Sequence, residues 1–307
     1  MTTSAEGSPR YILVVLHAGR EEALDAGVQV CHQLCAAGVT PVLIHDEREA
    51  LVGADSLLEG LLVLGDQVQP SELELVIVLG GDGTILRAAE LVRGCSAPLL
   101  GVNLGRVGFL AESERDDLEI AVARGLAQDY VVEERLTLSV RVKLGNDVVY
   151  ESWALNEATV EKASRERMLE VVIEVDGRPI SSFGCDGVVM STPTGSTAYS
   201  FSAGGPVVWP GVAALLLVPL SAHALFSRPL VVDARSSLAV ELVDRAPGEG
   251  ILWCDGRRAR SLPHGARVVV RRSDTPVRLA RLHQGPFTDR LVHKFDLPVT
   301  GWRGPNP

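Results

Sequence analysis

Leu73-Glu74-Leu75-Val76-Ile77-Val78-Leu79, running directly into Gly80-Gly81-Asp82-Gly83-Thr84, decides how the first part of this chain folds. The first seven residues are short, apolar and β-branched, the pattern of a strand buried on both faces of a parallel sheet. Beyond the glycines, Ile85, Leu86, Ala88, Ala89, Leu91 and Val92 recur at helical spacing. A glycine turn between a strand's carboxyl end and a helix's first turn lets backbone N–H groups face an anion at close range. Many such turns make only a tight connection, but this one carries an acid. A carboxylate at Asp82 would repel phosphate unless it takes a proton or handles magnesium. The P-loop lysine pattern is missing, and Leu86 stands where the third glycine of a dinucleotide fingerprint belongs.

Upstream, Tyr11-Ile12-Leu13-Val14-Val15-Leu16 reads as a first strand. A helix then opens at Gly19-Arg20, with Leu24, Val28, Cys31, Leu34 and Cys35 on one face and Gly38 as its stop. Residues 39–44 form a second strand, and Pro98-Leu99-Leu100-Gly101-Val102 follows the glycine turn as another. Strands alternating with helices at these lengths imply a doubly wound, right-handed parallel sheet. Ligands on such sheets bind outside the strands' carboxyl ends, where 80–84 and 103–108 both fall.

After Gln128 the period changes. Leu136, Leu138, Val140, Val142 and Leu144 alternate with Thr137, Ser139, Arg141 and Lys143, as in an antiparallel strand with one wet face. Gly145-Asn146-Asp147 turns the chain back. Leu169, Val171, Ile173 and Val175 alternate again before the hairpin signal Asp176-Gly177. β-like runs recur at 238–243, 251–254, 266–271 and 277–282. The chain is therefore expected to be α/β followed by all-β: an α/β domain over 1–133, then a mostly antiparallel, β-sandwich-like domain over 134–285.

Composition bounds the function. The 307 residues are 46% hydrophobic and 22% charged, with a formal charge of −10 and a pI near 5.2. That balance opposes general nucleic-acid binding, which needs a basic face. An acidic protein can still bind phosphates locally, through helix N-termini, a few arginines and a metal ion. The five cysteines are odd in number and include no C-x-x-C pair; Cys31 and Cys35 read as core thiols. With no ligand-spaced histidine cluster, a reducing cytoplasm and no structural metal follow. His223 reads as a packed core histidine. Residues 1–10 have the character of neither a signal peptide nor an anchor. Residues 187–227 contain no charged side chain, but four prolines and many Ser, Thr and Gly break them, so they read as buried or ligand-lining and not as a membrane span.

Several motifs occur in order: the glycine-Asp turn, then Gly101-Val102-Asn103-Leu104-Gly105-Arg106-Val107-Gly108-Phe109-Leu110, then Asn156-Glu157. Last come Ser191-Thr192-Pro193-Thr194-Gly195-Ser196-Thr197-Ala198-Tyr199 and Ser202-Ala203-Gly204-Gly205-Pro206. Over nearly its whole length the chain resembles the NAD kinase family in its bacterial form. The segment from Phe287-Thr288-Asp289-Arg290 to Gly301-Trp302-Arg303-Gly304 has an actinobacterial look. The resemblance implies transfer of the γ-phosphoryl of ATP, or of polyphosphate, to the 2′-hydroxyl of NAD's adenosine ribose, with magnesium as the ATP complex. It makes Asp82 the acceptor of the hydroxyl proton. Gly80, Gly81, Gly83 and Thr84 become the phosphate turn, Arg87 adds positive charge beside it, and Phe109 belongs to the nucleotide site. Asn156 and Glu157 would hold the nucleoside, and Asp186 would bind NAD. Thr194, Thr197, Ala198, Tyr199, Ser200, Phe201 and Ser202 would line that pocket, with Arg167 placed by spacing alone. The resemblance also implies a homodimer or homotetramer, and a C-terminal tail, 286–307, that returns to the first domain.

Two other readings share parts of this pattern. A lipid or sugar kinase could carry the same glycine-Asp turn, and an NAD(P)-sensing protein could bind without turnover. Against the sensor stands Asp82, which a pure binder has no need to place beside phosphate.

Overall fold

A computed structural model describes residues 9–105, 108–111, 113–164, 167–243, 249–283 and 285–299. The quoted Arg106 and Val107, and the stretch from Gly301 to Gly304, lie outside the described residues. The chain divides into two compact units, one of residues 1–134 with 278–307, the other of residues 135–277.

In the first unit, strand Leu73–Leu79 is buried along almost its whole length, as its unbroken apolar run requires. It pairs in parallel with Tyr11–Leu16 on one side and Leu99–Asn103 on the other. The sheet order is Leu62–Val63, Thr40–Leu43, Tyr11–Leu16, Leu73–Leu79, Leu99–Asn103, Val277–Arg281 and Val131–Arg135, with Ser113–Glu114 beside Leu99–Asn103. The chain winds outward one way from Tyr11–Leu16 and then crosses back to Leu73–Leu79. The order reverses between those two strands, and the carboxyl ends at such a reversal form a crevice for ligands. The glycine-Asp turn closes the second of them.

Helix Glu21–Ala36 packs on this sheet through Ala23, Ala26, Val30, Cys31 and Leu34. Cys35, expected in the core beside Cys31, is exposed. A residue one turn on still drifts around a 3.6-residue helix, and here the apolar face is narrower than the sequence suggests. The helix ends at Gly38, whose φ of +72° suits glycine and few other residues.

The second unit is antiparallel throughout its named pairings and holds two six-stranded sheets. One runs Leu230–Asp233, Ala214–Leu220, Gly187–Ser191, Glu157–Lys162, Gly250–Cys254, Arg258–Leu262. The other runs Arg178–Cys185, Leu169–Val175, Leu238–Leu242, Ala266–Arg272, Leu138–Leu144, Asp147–Ala154. One apolar cluster draws Val160, Val188, Met190, Leu215 and Leu252 from the first sheet and Leu138, Val140, Val171, Val240 and Val268 from the second. That is a sandwich core.

Two expectations change. Strand Val277–Arg281, expected as a β-like run of the second domain, pairs instead through Leu279 with Leu99 in the parallel sheet. Alternation identifies a strand but not the sheet that receives it, so the return to the first unit begins near 278, not 286. His223, expected in the core, is exposed, and its backbone N–H donates to the Gly184 carbonyl at 2.8 Å. Among the described residues no helix is long and apolar enough to cross a membrane.

Candidate active site

Asp82 is the first residue of helix Asp82–Leu91, with Gly81 as its N-cap. Gly80 has φ +153°, and a Cβ there would stand 2.5 Å from Thr84 Oγ1, so only glycine lets the turn close. Gly81 and Gly83 differ. Neither has a positive φ, and a Cβ on either would meet nothing within 4 Å. Backbone geometry does not demand glycine at these two positions, but the close approach of a ligand to the helix N-terminus would.

The Asp82 carboxylate is held from the next strand's loop. The Phe109 N–H donates to Oδ2 at 3.1 Å and the Leu110 N–H to Oδ1 at 3.0 Å. This approach depends on Gly108, where a Cβ would lie 2.3 Å from Asp82 Oδ1. The Phe109 ring is buried against Phe287 and Phe295, at 5.9 Å between centroids in each case. Its contribution to the turn therefore comes through its backbone.

Arg87 sits one turn along the helix, but its guanidinium pairs with the buried Glu47 carboxylate and donates to the Leu16 carbonyl at 2.5 Å. The Leu16 N–H donates to Glu47 Oε1 at 3.2 Å. Burial pushes the Glu47 carboxyl up to about 7, and Arg87 offsets only part of that. The guanidinium expected beside the turn is thus directed at Glu47 and the Leu16 carbonyl.

In the second unit, Asn156 and Glu157 open strand Glu157–Lys162 and both are buried. Asp255 organises their backbone: its carboxylate accepts from the N–H groups of Leu155 (2.9 Å) and Asn156 (2.7 Å) and from Arg258 Nη2 (2.9 Å). The Asn156 carbonyl accepts from the Thr192 N–H at 2.9 Å, and a Cβ on Gly195 would come within 2.1 Å of that oxygen. Gly195 thus lets the Ser/Thr run lie flat on Asn156. Within the run, Thr192 Oγ1 donates to the Leu155 carbonyl at 2.6 Å and accepts from the Gly195 N–H at 3.0 Å. Ser196 Oγ donates to the Pro193 carbonyl at 2.7 Å and accepts from the Val208 N–H at 2.9 Å.

The Tyr199 N–H reaches the Glu157 carboxylate, yet Glu157 Oε2 is buried with no hydrogen-bond partner among the described residues. Burial, reinforced by Asp255 and Glu161, pushes this carboxyl up to about 8. Tyr199, Phe201 and Ser202 are exposed, and Thr197 and Ala198 partly so. Thr194 and Ser200 are buried; Thr194 Oγ1 accepts from Arg135 at 3.4 Å, and the Ser200 hydroxyl has no partner among the described residues. Asp186 pairs with Lys162 at 2.5 Å, which holds its carboxyl below the usual range. Arg167 is exposed in the loop before strand Leu169–Val175.

Asp82 and its turn therefore belong to the first unit, while Asn156, Glu157, Asp186 and the Ser/Thr run belong to the second. Sequence reasoning passed over Asp255. Its signal was available, because Asp255-Gly256, with φ of +54° and +63°, lies in the three-residue hairpin connection between Gly250–Cys254 and Arg258–Leu262. Glu47 had no such signal. Among the described residues no group of three or more His, Cys, Asp and Glu could hold a metal ion. A lone carboxylate beside a glycine turn fits only a cation that brings most of its own ligands, since magnesium is commonly bound by one or two carboxylates plus phosphate oxygens.

Residues 12–130 match the family model for the ATP-NAD kinase N-terminal domain, and residues 155–282 the model for the C-terminal domain. The chain is 80% identical over 297 residues to an NAD kinase of Leifsonia xyli subsp. xyli, covering 97% of this chain and 98% of that one. It is 56% identical to NAD kinase 2 of Streptomyces coelicolor, covering 96% and 97%. In fold it is similar to yeast NADH kinase complexed with NADH, at a TM-score of 0.86 and 21% identity over 98% of this chain and 91% of that one. It is similar also to an Archaeoglobus fulgidus NAD kinase in complex with ATP, at 0.71 and 23% over 94% and 100%.

Proposed function

The chain belongs to the NAD kinase family, and we propose that it transfers the γ-phosphoryl of ATP to the 2′-hydroxyl of NAD's adenosine ribose, giving NADP and ADP. The ribose 2′-oxygen forms the new bond to phosphorus as the bond to the β-phosphate oxygen breaks, and the hydroxyl proton passes to Asp82. A carboxylate is a weak base toward an alcohol. Phosphoryl transfer tolerates that, because in a loose transition state the proton leaves late and positioning with charge neutralisation does most of the work. Two amide bonds leave the carboxylate with lone pairs to spare for the hydroxyl.

The single observation that carries this reading is the Asp82 carboxylate, fixed by two backbone N–H groups where the strand order reverses, in front of glycines that leave open space. Gly80, Gly81, Gly83 and Thr84 cradle the phosphates, with Arg87 behind them. The charge of the triphosphate would be offset in part by magnesium bound to its own oxygens, with Asp82 the carboxylate at the turn able to face that ion. Asn156, Glu157, Asp186, Arg167, Thr194 and the residues from Thr197 to Ser202 bind NAD. Support for Glu157 is its unpartnered buried oxygen, which a nucleoside hydroxyl or amine could satisfy. Polyphosphate is an alternative donor at the same turn.

The protein acts in the cytoplasm and self-associates as a dimer or tetramer. Support for self-association is the exposure of Val212, Leu225, Phe226 and Val231 on and before the edge strand Leu230–Asp233. Incubating purified protein with NAD, magnesium and either ATP or polyphosphate, and reading NADP with an NADP-specific dehydrogenase, tests the function. NADP formation is the expected result; tight NAD binding with no NADP from either donor would return the sensor reading. Light scattering on a sizing column reads the assembly state.

A further inference from the structure

We propose that Arg290 is a positioning residue for Asp82, acting through the single peptide unit that joins Phe109 to Leu110. The inference rests on the reading of Asp82 as proton acceptor. Arg290 Nη1, on the C-terminal helix Phe287–Phe295, donates to the Phe109 carbonyl at 3.1 Å and to the Ala111 carbonyl at 3.0 Å. The N–H of that same Phe109–Leu110 peptide donates to Asp82 Oδ1. Guanidinium, peptide and carboxylate therefore form one hydrogen-bonded chain: cation on the carbonyl end, acid on the N–H end.

A cation at a carbonyl makes the hydrogen bond charge-assisted and polarises the peptide, which strengthens its N–H as a donor. It also fixes the peptide's rotation. The neighbouring carbonyl is held in the same way, with Arg281 Nη1 donating to the Leu110 oxygen at 3.0 Å. Carbonyls 109, 110 and 111 are thus taken by arginines of the returning C-terminal segment, while the amides of 109 and 110 face Asp82. Phe287 and Phe295 pack on the Phe109 ring from the same helix. With Arg290 gone, this peptide can rotate and leave Asp82 with one amide, free to swing away from its aim.

A purely structural Arg290 would only pin the helix down, and the two roles separate in kinetics. Helix Phe287–Phe295 has no fully buried residue, so Arg290→Ala should keep the fold. Arg281 is buried and bonded to Glu133, so it is the poorer choice of variant. In Arg290→Ala, kcat should fall about tenfold or more, as for a small misplacement remote from the chemistry. KM for NAD and for ATP should stay within about twofold. Arg290→Lys should restore part of kcat, since an ammonium can reach a carbonyl without the planar fork. Placed in Asp82→Asn, Arg290→Ala should cost little more, because the two act as one unit.

Amide hydrogen exchange gives a readout apart from turnover: the Leu110 N–H should exchange faster in Arg290→Ala, while strand Leu73–Leu79 stays protected. Unchanged kcat in Arg290→Ala would overturn the proposal. So would a loss of equal size in wild-type and Asp82→Asn backgrounds, or unchanged Leu110 exchange. If the wild-type protein forms no NADP from either donor, the functional reading fails by itself, and the exchange experiment still decides whether Arg290 controls this peptide.

Discussion

Asp82 and Glu157 are both acids set among backbone N–H groups, yet Asp82 has an amide on each oxygen, whereas Glu157 keeps one oxygen buried with no partner among the described residues. Their surroundings differ in the same sense. Asp82 faces a turn whose glycines leave space, while Glu157 is enclosed and pushed up to about 8. A carboxylate whose oxygens are already oriented can meet a mobile hydroxyl without first rearranging, which suits chemistry. A buried acid with an unsatisfied oxygen gains most from a ligand that brings the missing hydrogen bond, which suits recognition. The first unit thus has its acid oriented in advance by two amides, whereas the second keeps one buried acid oxygen unsatisfied, the feature on which the proposed NAD site rests.

The largest effect expected is on the aimed acid. Asp82→Asn keeps the side chain's shape and should lower kcat about 10²–10⁴-fold, the usual worth of a general base. At 1.36 per decade that is about 2.7–5.4 kcal/mol. NAD affinity by calorimetry should change little; near-wild-type turnover would remove Asp82 from the reaction. Next comes the frame under Asn156 and Glu157. Asp255→Ala strips two backbone N–H groups of their acceptor and removes the carboxylate facing Arg258, and losing one partner of a buried pair costs about 3–5 kcal/mol. Urea denaturation reads this directly, and an unaltered midpoint would show that the turn holds itself.

Glu157→Gln sharpens the contrast through pH. A carboxyl raised from 4.5 to about 8 in the folded state keeps its full contribution below about pH 4.5 and loses stability as pH rises toward 8. The variant should lack that part of the slope, be more stable than wild type at pH 8, and bind NAD more weakly. A pH profile of stability identical to wild type would place the shift elsewhere. The smallest effect belongs to the open turn. Gly81→Ala should alter stability by only about 0.5 kcal/mol while raising KM for ATP several-fold; an unchanged KM would mean that no phosphate comes close to Gly81.

Much of this molecule was legible in its residues, and what was not has a common cause. The unbroken apolar run at Leu73–Leu79, the change to period two after Gln128 and the glycine-Asp turn are local patterns, and each appears in the expected element. Strand Val277–Arg281 was readable as a strand but not as a member of the parallel sheet, because its partner Leu99 lies far away along the chain. Arg290 and Arg281 find the 109–111 carbonyls across sequence separations of 171 to 181 residues, which no local period encodes. Arg87 looked available for phosphate because Glu47, its partner, lies 40 residues upstream on a helix with few apolar residues. Asp255 is the exception: its Asp-Gly turn was visible, and only its bonds to the Asn156 backbone were hidden.

The most direct measurement is a crystal structure of the protein with NAD and a non-hydrolysable ATP analogue, read at one distance. An Asp82 carboxylate oxygen should lie within hydrogen-bond reach of the adenosine ribose 2′-oxygen, about 2.6–3.2 Å, with the terminal phosphate over Gly81 and Gly83. A well-ordered NAD whose adenosine ribose lies beyond the reach of Asp82 would contradict it.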